Sequence, residues 1–119
     1  MLRSFRELQV WQKSYALALD VYSVTSDFPS HEAYGLTAQI RRAPVSVPSN
    51  IAEGYSRGHT MDYVRFANMA YGSLAELHTQ LMLARDLGYM NQDAYDAVSG
   101  RYGEVERMLA ALIRGLKSK

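Results

Sequence analysis

The stretch MDYVRFANMAYGSLAELHTQLMLARDL, Met61 to Leu87, decides the fold. Tyr63, Ala67, Ala70, Leu74, Leu77, Leu81 and Ala84 follow one another at steps of four and three, the spacing that lines one face of an α-helix. The segment from Gln92 to Lys117 repeats the pattern with Tyr95, Val98, Tyr102, Val105, Leu109, Leu112 and Leu116. Upstream, Leu8 to Phe28 and His31 to Ser56 also carry helical periodicity, and only short polar segments separate the four. Connections this short make neighbouring helices antiparallel, so the chain is expected to be one all-α domain over residues 1–119, an up-down-up-down four-helix bundle.

The punctuation fits that reading. Ser30 with Glu32, Thr60 with Asp62 and Asn91 with Asp93 each offer a cap followed by an acid where the helix dipole favours one. Gly58 and Gly88 are natural left-handed stops. The second segment is less regular, because Pro44 and Pro48 each remove an amide donor, and a kink or break is expected there. Ser46 or Ser49 could satisfy the loosened backbone. Gly35, Gly54, Gly72, Gly100 and Gly103 lie inside helical pattern, where close approach of another helix is the usual reason for glycine.

The first segment is apolar over too wide an arc. Val10, Leu17, Val21, Val24 and Phe28 form an aliphatic band, and Leu8, Trp11, Tyr15, Leu19 and Tyr22 form an adjoining band rich in aromatics. A bundle helix needs one such stripe, so the second requires cover from a loop, from the proline-containing helix or from another subunit. The division expected is that the aromatics pack inside and that Val10, Leu17, Val21 and Val24 lie at a subunit boundary. The reverse division stays open, since aromatics are also enriched at interfaces.

Composition limits the chemistry. There is no cysteine, which excludes disulfides, thiolate metal sites and cysteine nucleophiles. The first ten residues alternate charged and apolar types, unlike a signal peptide, and no apolar run approaches the roughly 20 residues of a membrane span, so a cytoplasmic protein is expected. The Glu-x-x-His pairs of bundle metal centres are absent, as are phosphate loops and nucleophile elbows; no metal, cofactor or enzymatic activity is expected.

The informative polar positions flank the second connection. In the series Leu36, Ile40, Ala43, Val47, Asn50, Gly54, an asparagine falls on the apparent seam, with Glu53 one turn further. A hairpin about His59 sets Glu53 near Arg65, Asn50 near Asn68 and Arg42 near Glu76. The expected role is a structural network that fixes pairing register. The alternative is a small-ligand or enzymatic site built on Asn50, Glu53 and Glu76.

The run QIRRAPVSVPSNIAEGYSRG, Gln39 to Gly58, resembles the bacterial four-helix bundle family, also called the intervening-sequence proteins of large-subunit ribosomal RNA genes. FRELQVWQKS (Phe5 to Ser14), AYGSLAELHTQL (Ala70 to Leu81) and LGYM (Leu87 to Met90) extend the resemblance over nearly the whole chain, although Pro44 stands where a small residue is usual. The resemblance implies a bundle assembled as a ring, a homopentamer, with no established enzymatic activity. More distantly, the chain is similar to the accessory variability proteins of retroelements, which bind a reverse transcriptase and nucleic acid through a basic surface. Thirteen basic residues against twelve acidic give a net charge of only +1, so contact with RNA or an RNA-handling protein would need a local patch. Arg3, Arg6, Arg41 and Arg57 are the candidates, and the expected function is an oligomeric scaffold or adaptor.

Overall fold

The computed structural model describes residues 3–119, which form helices α1 (Gln9–Val24), α2 (Leu36–Ser56), α3 (Thr60–Asp86) and α4 (Gln92–Lys117). Single 3-10 turns at Phe5–Glu7 and Ser30–Glu32 precede α1 and α2. No described residue is in a strand. The bundle measures 45 × 24 × 21 Å, its long axis close to the roughly 40 Å of a 27-residue α3. α2 packs most extensively on α3, and α1 closes the square against α4.

α4 occupies its expected span and α2 ends as expected at Ser56, and the remaining helix ends differ for local reasons. α1 stops at Val24, where the Thr25 hydroxyl turns back to donate to the Val21 carbonyl at 2.8 Å, and Phe28 reaches the core from the following turn. Residues 30–32 form a separate turn after Pro29, so Ser30 does not cap α2. Glu32 does that work instead: its Oε1 accepts from the Leu36 amide at 3.0 Å. Thr60 lies in the first turn of α3 and His59 precedes it as a cap position without a side-chain bond. Asn91 caps α4, accepting from the Ala94 amide at 2.8 Å. Gly58 and Gly88 adopt φ of 78° and 82°, the left-handed stop that a side chain disfavours.

α2 runs without a break through both prolines. Pro44 is fully buried, so the residue that costs a hydrogen bond also fills the core. The Ser46 and Ser49 hydroxyls donate to the Ala43 and Val45 carbonyls, both at 2.8 Å, and Asn50 Nδ2 donates to the Ser46 carbonyl at 2.8 Å. These are not the Ile40 and Pro44 carbonyls that the prolines leave without an i+4 donor. The serines tie the turn around the prolines rather than replace the lost bonds.

The core is assembled from Val10, Leu17 and Val21 of α1, Ile40, Val47 and Ile51 of α2, Leu74, Leu77 and Leu81 of α3, and Val98, Val105 and Leu109 of α4. Gly54 sets the closest approach: a Cβ there would lie 2.8 Å from Phe66 Cβ and 3.3 Å from Tyr63 Cα. That contact fixes the α2–α3 hairpin to turn near His59. Gly72 and Gly100 have open space where a Cβ would sit, so close packing within the chain does not account for them.

Candidate functional site

The polar seam does not form as a network across α2 and α3. Glu53 pairs with Arg57 on its own helix at 3.0 Å, and Arg65 pairs with Asp62 at 3.7 Å. Asn50 is tied to the Ser46 carbonyl, Asn68 is exposed, and Glu76 accepts only a 3.4 Å bond from Gln80. Arg42 is exposed and has no ion-pair partner among the described residues. Pro44 and Ile51 add to the buried face of α2, and their burial rotates that face away from the position expected from Asn50, so Arg42 points outward. Among the described residues the link between Glu53 and Arg65 is indirect: Arg57 and Arg65 both lie against the Phe66 ring, at 5.0 and 4.5 Å from its centroid. Asn50, Glu53 and Glu76 make no mutual contact and enclose no common cavity among those described.

The two bands of α1 are exchanged relative to the expected division. Val10, Leu17 and Val21 are buried inside the bundle, and Val24, half-buried, packs against the same core, so the first three leave no surface for a subunit boundary. Ser14 shares this seam, its hydroxyl donating to the Trp11 carbonyl at 2.9 Å. Residues 10, 14, 17 and 21 thus keep the steps of four and three, and the polar Ser14 hides the repeat from a reading by apolar residues alone. Helices packed at about 8–10 Å accept valine, serine and leucine between them more readily than a row of aromatic rings.

The aromatic band therefore faces outward. Phe5, Trp11, Tyr15, Leu19 and Tyr22 form one wall of an open groove of about 540 Å³, and Val45, Pro48 and Ala52 of α2 form the other. Tyr15, Leu19 and Tyr22 are 44%, 61% and 46% exposed, and Val45 is 42% exposed. Trp11 bridges Phe5 and Tyr15 through edge contacts, each at 5.2 Å between centroids, which holds the row in place.

The four arginines considered for nucleic acid do not make one patch. Arg41 is engaged at the C-terminal end of α1: its Nε donates to Thr25 Oγ1 at 2.8 Å, one guanidinium nitrogen reaches the Tyr22 carbonyl at 3.3 Å, and its Cζ lies 4.8 Å from the Tyr22 ring centroid. It neutralises the carbonyl end of α1, where a cation is favoured. Arg57 is held by Glu53, whereas Arg3 precedes the 3-10 turn and Arg6 lies within it, at the opposite end of α1 from Arg41, about 24 Å along a 16-residue helix.

Two further clusters were not anticipated from sequence. Glu32 Oε2 accepts from the Tyr89 hydroxyl at 2.8 Å while its other oxygen caps α2, and the Leu36 amide followed by Tyr89 hold this carboxyl below its ordinary value. Tyr102 stacks against His78 with centroids 4.8 Å apart, and burial, reinforced by Glu106, pushes its phenol up to about 12. No group of three histidine, aspartate or glutamate side chains is placed to hold a metal ion among the described residues, and no described helix is long and apolar enough to cross a membrane.

Comparison with known proteins agrees with this architecture. A protein of unknown function from the S23 ribosomal protein family of Bacteroides thetaiotaomicron, solved at 1.70 Å, superposes with a TM-score of 0.81 over 88% of this chain and 95% of its own. At 21% identity the likeness speaks for the fold. No curated protein matches the chain. The family model of the 23S rRNA-intervening sequence proteins matches residues 6–111, nearly the whole bundle, and the chain belongs to that family.

Proposed function

We propose that this chain is a non-enzymatic scaffold that works as a homo-oligomer. The observation that carries the reading is the open α1–α2 groove, where three large aromatic or aliphatic side chains of one helix stand in solvent beside Val45. Contiguous apolar surface of this kind marks an association site on a soluble protein. The scattered positions of Asn50, Glu53 and Glu76 favour this over a ligand-binding or enzymatic reading, because chemistry on a bound molecule needs convergent groups. The family resemblance suggests a closed ring of five copies. Light scattering on the purified protein tests the proposal: an assembly of several copies is expected, and a stable mass near 13.4 kDa at micromolar concentration overturns it.

Contact with RNA is a subsidiary part of this reading and rests on Arg3 and Arg6 beside Phe5, since Arg41 and Arg57 are engaged within the chain. So small a basic tract neutralises few phosphates per copy, and repetition around a ring is what would give it useful avidity. Fluorescence anisotropy with single-stranded RNA across a salt series is expected to show weak, steeply salt-dependent binding. Salt-independent affinity would rule out this electrostatic mode.

A further inference from the structure

Among the described residues, exposed apolar side chains fall into lines at two places on the bundle. One is the α1–α2 groove. The other is a line along the outside of α3, opposite its buried face, in which Met61, Met69 and Leu83 are 86%, 48% and 48% exposed. Gly72 and Glu76 lie on the same line between Met69 and Leu83, at helical steps of three and four. We infer that this α3 ridge of one copy seats in the α1–α2 groove of the next, with Glu76 facing Arg42, a head-to-tail contact that deepens the oligomeric reading above and rests on it.

The dimensions agree. With Glu76 at the Arg42 end of the groove, Met69 lies about 10 Å further along α3, inside the roughly 17 Å of groove from Trp11 to Tyr22. Gly72, between Met69 and Glu76, has open space where a Cβ would be, so α3 can approach the groove closely there.

The charges also agree. Arg42 heads the exposed row of α2 that continues through Val45 and Ser49, and it pairs with no carboxylate among the described residues. Arg41 lies beside it and is bonded only to Thr25 and Tyr22. The groove rim is therefore positive. Glu76 brings an acid without an ion pair to the ridge, while Arg65 on the same line is already neutralised by Asp62. Arg42 and Glu76 cannot pair inside one chain because both point outward, but across two copies each finds its complement.

Charge also decides against the simplest alternative. Two copies joined groove to groove about a two-fold axis along the groove would bring Arg41 and Arg42 of each toward those of the other, and a perpendicular axis would bring them toward Arg6 beside Phe5, so like charges across the interface disfavour both. A ridge in a groove uses two different surfaces, so the contact is heterologous and repeats into a ring, or into an open filament if the rotation does not close.

Light scattering on full-length variants tests this. Leu19→Asp blocks the groove and Met69→Asp blocks the ridge, both at exposed positions, with circular dichroism to verify folding. Each variant alone is expected to run near 13.4 kDa, and an equimolar mixture is expected to form a one-to-one heterodimer, because one intact groove meets one intact ridge. Arg42→Glu and Glu76→Arg should each weaken assembly about tenfold, and the double reversal should restore it. These two keep the test decisive if an aspartate variant does not fold. A wild-type monomer would overturn this inference together with the oligomeric reading. A wild-type oligomer that Met69→Asp leaves intact, or a mixture that stays monomeric, would overturn this contact alone.

Discussion

The Tyr89 hydroxyl donates to Glu32 across 57 positions of sequence, joining the α3–α4 connection to the turn that launches α2. The same carboxylate caps the Leu36 amide, so one side chain holds two ends of the bundle in place.

This tie predicts a pH dependence. The Glu32 carboxyl is held below its ordinary value of 4.5, so its contribution is present above that value and is lost as pH falls through the lowered one. The Tyr89 phenol is raised by the same bond, so its share is lost only in alkali, as pH rises past 10. Tyr89→Phe and Glu32→Gln are expected to lower the melting temperature at pH 7, and the difference from wild type should shrink toward pH 3. A difference independent of pH between 3 and 7 would show that the ionised carboxylate is not what stabilises this junction.

Gly54→Ala should destabilise the chain by about 1–3 kcal/mol, since the added methyl meets Phe66 Cβ at 2.8 Å in a helix contact with little freedom to move. Gly100→Ala meets nothing within 4 Å and should stabilise by about 0.5–1 kcal/mol through helix propensity. Urea denaturation of the two variants measures both signs. Equal effects would place the α2–α3 approach elsewhere.

Arg41→Met keeps the aliphatic stem and removes the donors that satisfy Thr25 and the Tyr22 carbonyl. A loss of about 1–2 kcal/mol is expected, in the range of hydrogen bonds to a charged group. Lysine should restore only part of it, lacking the forked geometry. If the variant keeps full stability but loses affinity for RNA, Arg41 acts on a ligand and not on α1.

Leu17 and Leu19 separate the core from the groove within two residues. Leu17→Ala should cost about 3–5 kcal/mol, because Leu17 is fully buried. Leu17→Asp should unfold the monomer rather than merely dissociate an assembly, since it buries a charge without a partner. Leu19→Ala should change stability within about 0.5 kcal/mol at its exposed position, measured by thermal denaturation at a concentration where the protein is dissociated.

Burial of Tyr102 sets a spectroscopic expectation. Tyr102 should ionise late in an alkaline titration followed by ultraviolet absorbance, and Tyr102→Phe should remove a step near 12. Loss of an earlier step would mean that the Tyr102 phenol is open to water.

The four helices, the glycine stops, the cap at Asn91 and most of the α3 and α4 seams could be read from the sequence, because each depends on spacing or backbone freedom within a few residues, although Phe66 and Ile113 are buried where Tyr63 and Leu112 were expected. The hairpin about His59 was also legible, since so short a connection leaves α2 and α3 one antiparallel pairing. How each helix is rotated about its axis could be read only from the packed bundle. In α1, two apolar bands lie side by side, and the inward one is chosen by the space between packed helices, which Val10, Ser14, Leu17 and Val21 fit and the rings of Tyr15 and Tyr22 do not. In α2, burial of Pro44 and Ile51 turns Arg42 outward, so correct register did not bring it to Glu76. Periodicity is a property of one helix, but rotation is settled by the volumes that all four must fill together.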